Sequence, residues 1–267
     1  MNRREMRITG MSRSGNHAII HWILSQAAGR TCFVNCAEPR CNPFTTARPM
    51  ADGRAVVASY RPFCEAAERR GAHSRKDLLV VSYEDCFLGT VTSGEFERRH
   101  DEWVGKSLRR TDLIILRDPY NLFASRMRSG IGGVTQGAVL RIWKQHAREV
   151  LGMRRYLDSG RVAISYNRWV ADRSYRRRLA AALGLAFTDA GRERVPATGN
   201  GSSFDGLSYD GRAQAMRTHE RWRHFEHDRD FTALFDDEVH ELSRRIFGTC
   251  EPEADVTCWR CKAYTAA

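Results

Sequence analysis

Apolar residues fall along this chain in short dense runs separated by longer mixed stretches, and the runs are strand-like. They are Arg7-Ile8-Thr9, Val56-Val57-Ala58, Leu78-Leu79-Val80-Val81, Leu113-Ile114-Ile115-Leu116 and Val162-Ala163-Ile164. Helical stretches lie between them, the first being the run Ala18 to Ala28 immediately after the first strand. Strands that alternate with helices predict an α/β fold, a three-layer sandwich with a mostly parallel sheet covered by helices. In such sheets ligands bind outside the carboxyl ends of the strands. The turns that leave those ends are therefore where chemistry is to be sought.

Two of the turns carry phosphate-binding patterns about a hundred residues apart. The first is Arg7-Ile8-Thr9-Gly10-Met11-Ser12-Arg13-Ser14-Gly15-Asn16-His17, a strand turning through a glycine loop into a helix. Gly10 and Gly15 have the G-x-x-x-x-G spacing that lets backbone N–H groups curl around a phosphate at the positive end of a helix. An NTPase continues with Lys and then Ser or Thr, because it needs an ammonium on the terminal phosphates and a hydroxyl on Mg²⁺. Here Asn16 and His17 follow. Such a loop can cradle a phosphate but is poorly built to split a nucleoside triphosphate. The second turn is Arg117-Asp118-Pro119 after the strand Asp112 to Leu116. Asp118 suits an N-cap and Pro119 the first helical position, so Arg117 falls at the strand's end and Ser125 about two turns along the helix.

Taken together, these segments resemble the sulfotransferases that use 3′-phosphoadenosine 5′-phosphosulfate (PAPS). Ser12-Arg13-Ser14-Gly15-Asn16-His17 is similar to their 5′-phosphosulfate loop, with Arg in the basic position. Arg117, Pro119 and Ser125 keep the spacing of their second motif, in which the Arg and Ser hold the 3′-phosphate. The resemblance covers roughly the first two thirds of the chain, with a weaker echo beyond. It implies a P-loop kinase-like sulfotransferase architecture, PAPS as sulfuryl donor, no metal, and in-line transfer to an acceptor hydroxyl. Arg13 and the loop N–H groups would then neutralise the leaving phosphate.

The resemblance also implies a base at the end of the strand beside the phosphosulfate loop. That strand is Leu78 to Ser82, ending in Tyr83-Glu84-Asp85. Glu84 is the first candidate and Asp85 the second, although Asp85 could equally cap the next segment; His17, at the helix start, is a rival base or a donor to the bridging oxygen. Two family features are altered. Ala18 replaces the aromatic residue that packs on adenine, which leaves Tyr166, after the Val162 to Ser165 strand, as the candidate platform. The later Arg-Lys-Gly element is absent in its usual form. In its place stand Gly199-Asn200-Gly201-Ser202-Ser203-Phe204 and a helical stretch with Arg221-Trp222-Arg223. Gly201, Ser202 and Ser203 could wrap a phosphate, or the segment could be a surface loop. Residues 35–60 and 126–139, the latter with Gly130, Gly132 and Gly133, are expected to wall the acceptor pocket.

Length and charge refine this picture. A chain of 267 residues without a Pro- or Ser-rich linker is expected to form one large domain over 1–248, with a cysteine-containing tail over 249–267. A formal charge of +11 implies an anionic partner. PAPS meets part of that, and the rest leans toward a polar or anionic acceptor such as a glycan or glycolipid. The clusters Arg154-Arg155 and Arg176-Arg177-Arg178 could contact a membrane surface or simply form solvated helix faces, and no nucleic-acid module is present. Eight cysteines without an apolar leader suggest thiols and a cytosolic location. Cys258 and Cys261, with Cys250 upstream, have the pair spacing of a zinc knuckle or a redox motif but lack a second pair, so free or partly buried thiols are expected rather than a metal site, although Cys32, Cys36 or His240 could supply distant ligands. Two other readings stay open, a degenerate P-loop nucleotide kinase or NTPase and a non-catalytic nucleotide-binding scaffold.

Overall fold

The computed structural model describes residues 1–131, 135–157 and 161–248. Gly132, Gly133 and the tail with Cys250, Cys258 and Cys261 lie outside the described residues. Six strands form one sheet: β1 Glu5–Gly10, β2 Thr31–Val34, β3 Val56–Ala58, β4 Leu78–Glu84, β5 Arg110–Leu116 and β6 Arg161–Ser165. Their order is β3-β2-β4-β1-β5-β6, and every neighbouring pair is parallel except β2 with β3. The apolar pattern foresees five of these strands. It misses β2, whose four residues are all buried and whose pairing with β4 and β3 makes it a strand.

The helices are α1 Asn16–Gln26, α2 Pro43–Thr46, α3 Glu65–Arg69, α4 Gly94–Val104, α5 Pro119–Ser129, α6 Gln136–Val150, α7 Tyr166–Ala171, α8 Arg173–Ala182, α9 Arg229–Thr232 and α10 Asp237–Phe247. Strand residues alternate between two packed faces. Met6, Ile8, Val80, Leu113, Ile115 and Ile164 meet α1 through Ile19, Ile20 and Ile23, together with Trp169 of α7 and Leu179 of α8. On the opposite face Leu79, Val81 and Tyr83 meet Phe96 of α4, and Leu116 meets Phe123, Trp143 and Leu242 from α5, α6 and α10. The result is a three-layer α/β sandwich. Among the described residues no helix is long and apolar enough to cross a membrane.

The central strand β1 is buried on both sides yet carries Glu5 and Arg7. Unpaired charges there would cost several kcal/mol, and a cluster of partners offsets this. Arg7 donates to Asp112 at 2.6 Å and to Glu97 at 2.7 Å, while Glu5 accepts from His100, Ser107 and Arg110. A similar correction applies to Arg176-Arg177-Arg178: Arg176 is buried, paired with Asp189 at 2.8 Å and donating to the Trp169 carbonyl. Only its neighbours belong to a solvated face.

Strand register sets the site. Gly10 pairs with Glu84 and with Ile115, and Leu116 pairs with Ser165. The loop after β1, the end of β4, Arg117 after β5 and Tyr166 after β6 therefore emerge on one edge of the sheet.

Candidate functional site

After Gly10 the backbone closes tightly, with Arg13 at φ 75° and Gly15 at φ 87°, both left-handed. Both glycines of the spacing are required by close approach. A Cβ on Gly10 would lie 2.4 Å from Asn16 Oδ1, and one on Gly15 would lie 2.1 Å from the Tyr166 ring. No side chain caps α1, so the first-turn N–H groups and the positive end of the helix are left to an anion. Asn16, where an NTPase has its Lys, donates from Nδ2 to Glu84 Oε1 at 2.7 Å and to the Met11 carbonyl at 3.2 Å.

Glu84 is the last residue of β4, and its other oxygen accepts the Ser12 hydroxyl at 2.8 Å. Asp85 takes a left-handed φ of 52°, which sends its carboxylate elsewhere. It accepts from Ser12 N at 3.1 Å and pairs with Arg126 at 3.0 Å. Glu84 lines the cavity described below and Asp85 does not. Asp85 therefore sits in an anchoring position off the cavity wall. His17 also lines the cavity, with Nε2 2.9 Å from Asn35 Oδ1.

Asp118 caps α5 by accepting from Asn121 N at 2.8 Å, with Pro119 in the first turn. The Trp143 indole fixes the Arg117 carbonyl at 2.9 Å. Arg117 is 5% exposed and donates from Nη1 to Ser125 Oγ and the Arg13 carbonyl, both at 3.0 Å, and from Nη2 to the Thr218 carbonyl at 2.8 Å. Its guanidinium carbon lies 5.1 Å over the Tyr166 ring. Tyr166 also stacks on Trp169 and abuts Gly15. Its ring braces Arg117 and the glycine loop and also lines the cavity.

The third wall comes from the irregular chain after α8. Arg13 donates to Ser203 Oγ at 2.6 Å and to the Gly199 and Gly201 carbonyls at 3.2 Å. Ser202 and Asp205 are held by Arg221, the latter at 2.5 Å. The stretch around Arg221 is a 3₁₀ turn, Arg221–Phe225. Together these elements enclose a cavity of about 300 Å³. Among the described residues its wall holds six arginines, Arg13, Arg48, Arg117, Arg192, Arg194 and Arg221, against one carboxylate, Glu84. Burial first, and then the charges of Arg117 and Arg221, push Arg13 below its ordinary value. Burial likewise lowers Arg117 and Arg192. Crowded, desolvated guanidinium groups of this kind create a strong field for an anion.

The sequence reading did not single out Arg192 or Thr218, and it reached Asn35 and Arg126 only as the first residues of the expected pocket walls 35–60 and 126–139. The first two lie in chain without periodicity, and only Arg126, beside Ser125 on α5, had a motif next to it. Ser14 is fully buried behind the loop. Cys32, Cys36 and His240 do not converge: among the described residues no group of three or more His, Cys, Asp or Glu side chains is placed to hold a metal ion, and His240 Nδ1 lies 2.7 Å from the Tyr120 hydroxyl.

No protein-family profile matches the chain, and no curated protein matches it in sequence. Solved structures do match. The sulfotransferase domain from the Synechococcus PCC 7002 olefin synthase superposes with a TM-score of 0.53 at 13% identity, over 91% of this chain and 94% of that one. The sulfotransferase domain from the curacin biosynthetic pathway gives 0.51 at 12% identity, over 90% of this chain and 96% of that one. The chain has the sulfotransferase fold.

Proposed function

We propose that this chain is a sulfotransferase that moves a sulfuryl group from PAPS to an acceptor hydroxyl. The observation that carries the reading is a set of buried polar atoms on cavity-lining residues with no partner among the described residues: Arg117 Nε, Arg192 Nε and Thr218 Oγ1. Their residues are no more than 6% exposed. Each unmet buried donor costs about 1–3 kcal/mol, and they stand beside the uncapped start of α1. A ligand rich in anionic oxygens, presented at two places, fits them.

PAPS supplies the sulfuryl group and the bisphosphate leaving group. Arg13 and the loop from Ser14 to His17 are suited to the 5′-phosphosulfate, and Arg117, Ser125 and the Thr218 hydroxyl to the 3′-phosphate. Gly201, Ser202 and Ser203 would act mainly by holding Arg13 and closing the wall. Glu84 is the group to take the acceptor's proton, its carboxylate oriented by Ser12 and Asn16. Arg13 and the N–H groups would meet charge growing on the leaving phosphate, so no metal is needed. Arg48 and Arg194, both well exposed on the cavity wall and paired with Glu38 at 3.6 Å and Asp210 at 3.0 Å, give it a charged, polar rim that suits a polar or anionic acceptor such as a glycan or glycolipid.

The test is transfer from labelled PAPS to a panel of hydroxyl acceptors in the presence of EDTA. Labelled product that survives chelation is expected. Activity that appears only with Mg²⁺ and ATP would replace this reading with that of a phosphoryl-transfer enzyme.

A further inference from the structure

Arg126 lies one residue beyond Ser125 on α5 but faces a different part of the site. It is fully buried, and its Nη1 donates to both Asp85 oxygens, at 3.0 and 3.1 Å, and to the Ser12 carbonyl at 3.1 Å. Asp85 Oδ1 accepts the Ser12 N–H at 3.1 Å, and Asp85 N donates to the Gly10 carbonyl at 3.1 Å. Both polar groups of the Ser12 backbone are therefore gripped by one ion pair. The Ser12 hydroxyl is then aimed at Glu84 Oε2, 2.8 Å away.

Packing does not account for this arrangement. Arg126 Nε and Nη2 have no partner among the described residues, which is costly in a core, and apolar side chains of similar volume in place of both partners of a buried ion pair are commonly tolerated without loss of stability. What apolar residues cannot do is hold the N–H and C=O groups that flank the Ser12 Cα at a fixed distance from α5. The same helix places Ser125 on Arg117, so one rigid element references both halves of the cavity.

We propose that Arg126, acting through Asp85 and Ser12, is a positioning residue that sets the Glu84 carboxylate against the phosphosulfate loop. The inference rests on the sulfotransferase reading above. It concerns alignment, and displacement of a reacting group by about an ångström can lower a rate about a hundredfold. Neither Arg126 nor Asp85 lines the cavity, so nucleotide affinity should be spared.

The experiment compares the unmutated chain with Arg126→Lys, Arg126→Met and Asp85→Asn. It measures kcat for transfer from PAPS, the Kd of adenosine 3′,5′-bisphosphate, and the melting temperature. Arg126→Lys keeps the charge but not the fork, and Asp85→Asn keeps the acceptor for Ser12 N but not the ion pair. For these two, kcat should fall about ten- to a hundredfold while Kd changes less than about threefold. Arg126→Met should fold and bind the bisphosphate yet turn over no faster than Arg126→Lys. Unchanged kcat in a folded Arg126→Met protein, or parallel loss of kcat and nucleotide affinity across the series, would overturn the proposal while leaving the sulfotransferase reading intact. An unmutated chain that transfers no sulfate overturns that reading and this inference with it.

Discussion

Glu84 and Asp85 are adjacent carboxylates with different work, and the left-handed backbone of Asp85 turns them apart. Asp85, at φ 52°, turns toward Arg126 and anchors the loop, while Glu84 stays on the cavity wall with Ser12 and Asn16 as donors. Glu84→Gln keeps shape and hydrogen bonding but cannot accept a proton. Turnover should fall by about 10²–10⁴ with PAPS affinity near normal, measured by single-turnover kinetics beside equilibrium binding. His17→Ala is the control, because His17 shares the cavity and holds Asn35. Abolished turnover in His17→Ala with normal turnover in Glu84→Gln would move the base to His17. The strand end that bears both acids was legible in the sequence. Their division of labour was not, because it depends on a guanidinium 41 residues away from Asp85.

At the scale of elements, β1, its loop and α1 form a unit whose glycines are dictated by what packs on them. Gly15→Ala forces a side chain into a left-handed residue and against the Tyr166 ring. Strain of that kind costs about 1–3 kcal/mol, so the melting temperature should drop by several degrees. Bisphosphate affinity should fall as well, since Tyr166 braces Arg117. A variant that melts and binds like the parent would show that the loop adapts freely. The sheet was readable because dense apolar runs mark buried parallel strands; β2 escaped because only Cys32, Phe33 and Val34 carry its signal. The two phosphate turns were readable because their spacing is local. Arg192 and Thr218 were not, because they reach the cavity from irregular chain whose course is set by long-range contacts such as Arg13 with Ser203.

For the whole molecule, the charge of +11 finds part of its explanation in the six cavity arginines, and the buried ionisable groups set the response to acid. Burial holds His146 down to about 4 from an ordinary 6.5. Between those values the unfolded chain binds a proton that the folded one refuses, so stability is complete above pH 6.5 and is lost as pH falls toward 4, by about 3 kcal/mol. Glu5 acts lower. Burial alone would raise it, but His100, Arg110 and Ser107 hold it at about 2 against 4.5, so its contribution is present above 4.5 and lost as pH falls toward 2. Urea midpoints at pH 7, 5.5 and 4 should decline steeply in the parent and less so in His146→Gln; identical declines would rule His146 out as the source. The cavity itself is tested most directly by calorimetric titration in EDTA of adenosine 3′,5′-bisphosphate and adenosine 5′-monophosphate into the unmutated chain and Arg117→Ala. The bisphosphate should bind without metal, and the substitution should weaken it by about 1.5–3 kcal/mol, roughly ten- to a hundredfold, while leaving the monophosphate almost unchanged. Failure of the bisphosphate to bind where ATP with Mg²⁺ does, or equal losses for both nucleotides in Arg117→Ala, would contradict a site built for PAPS.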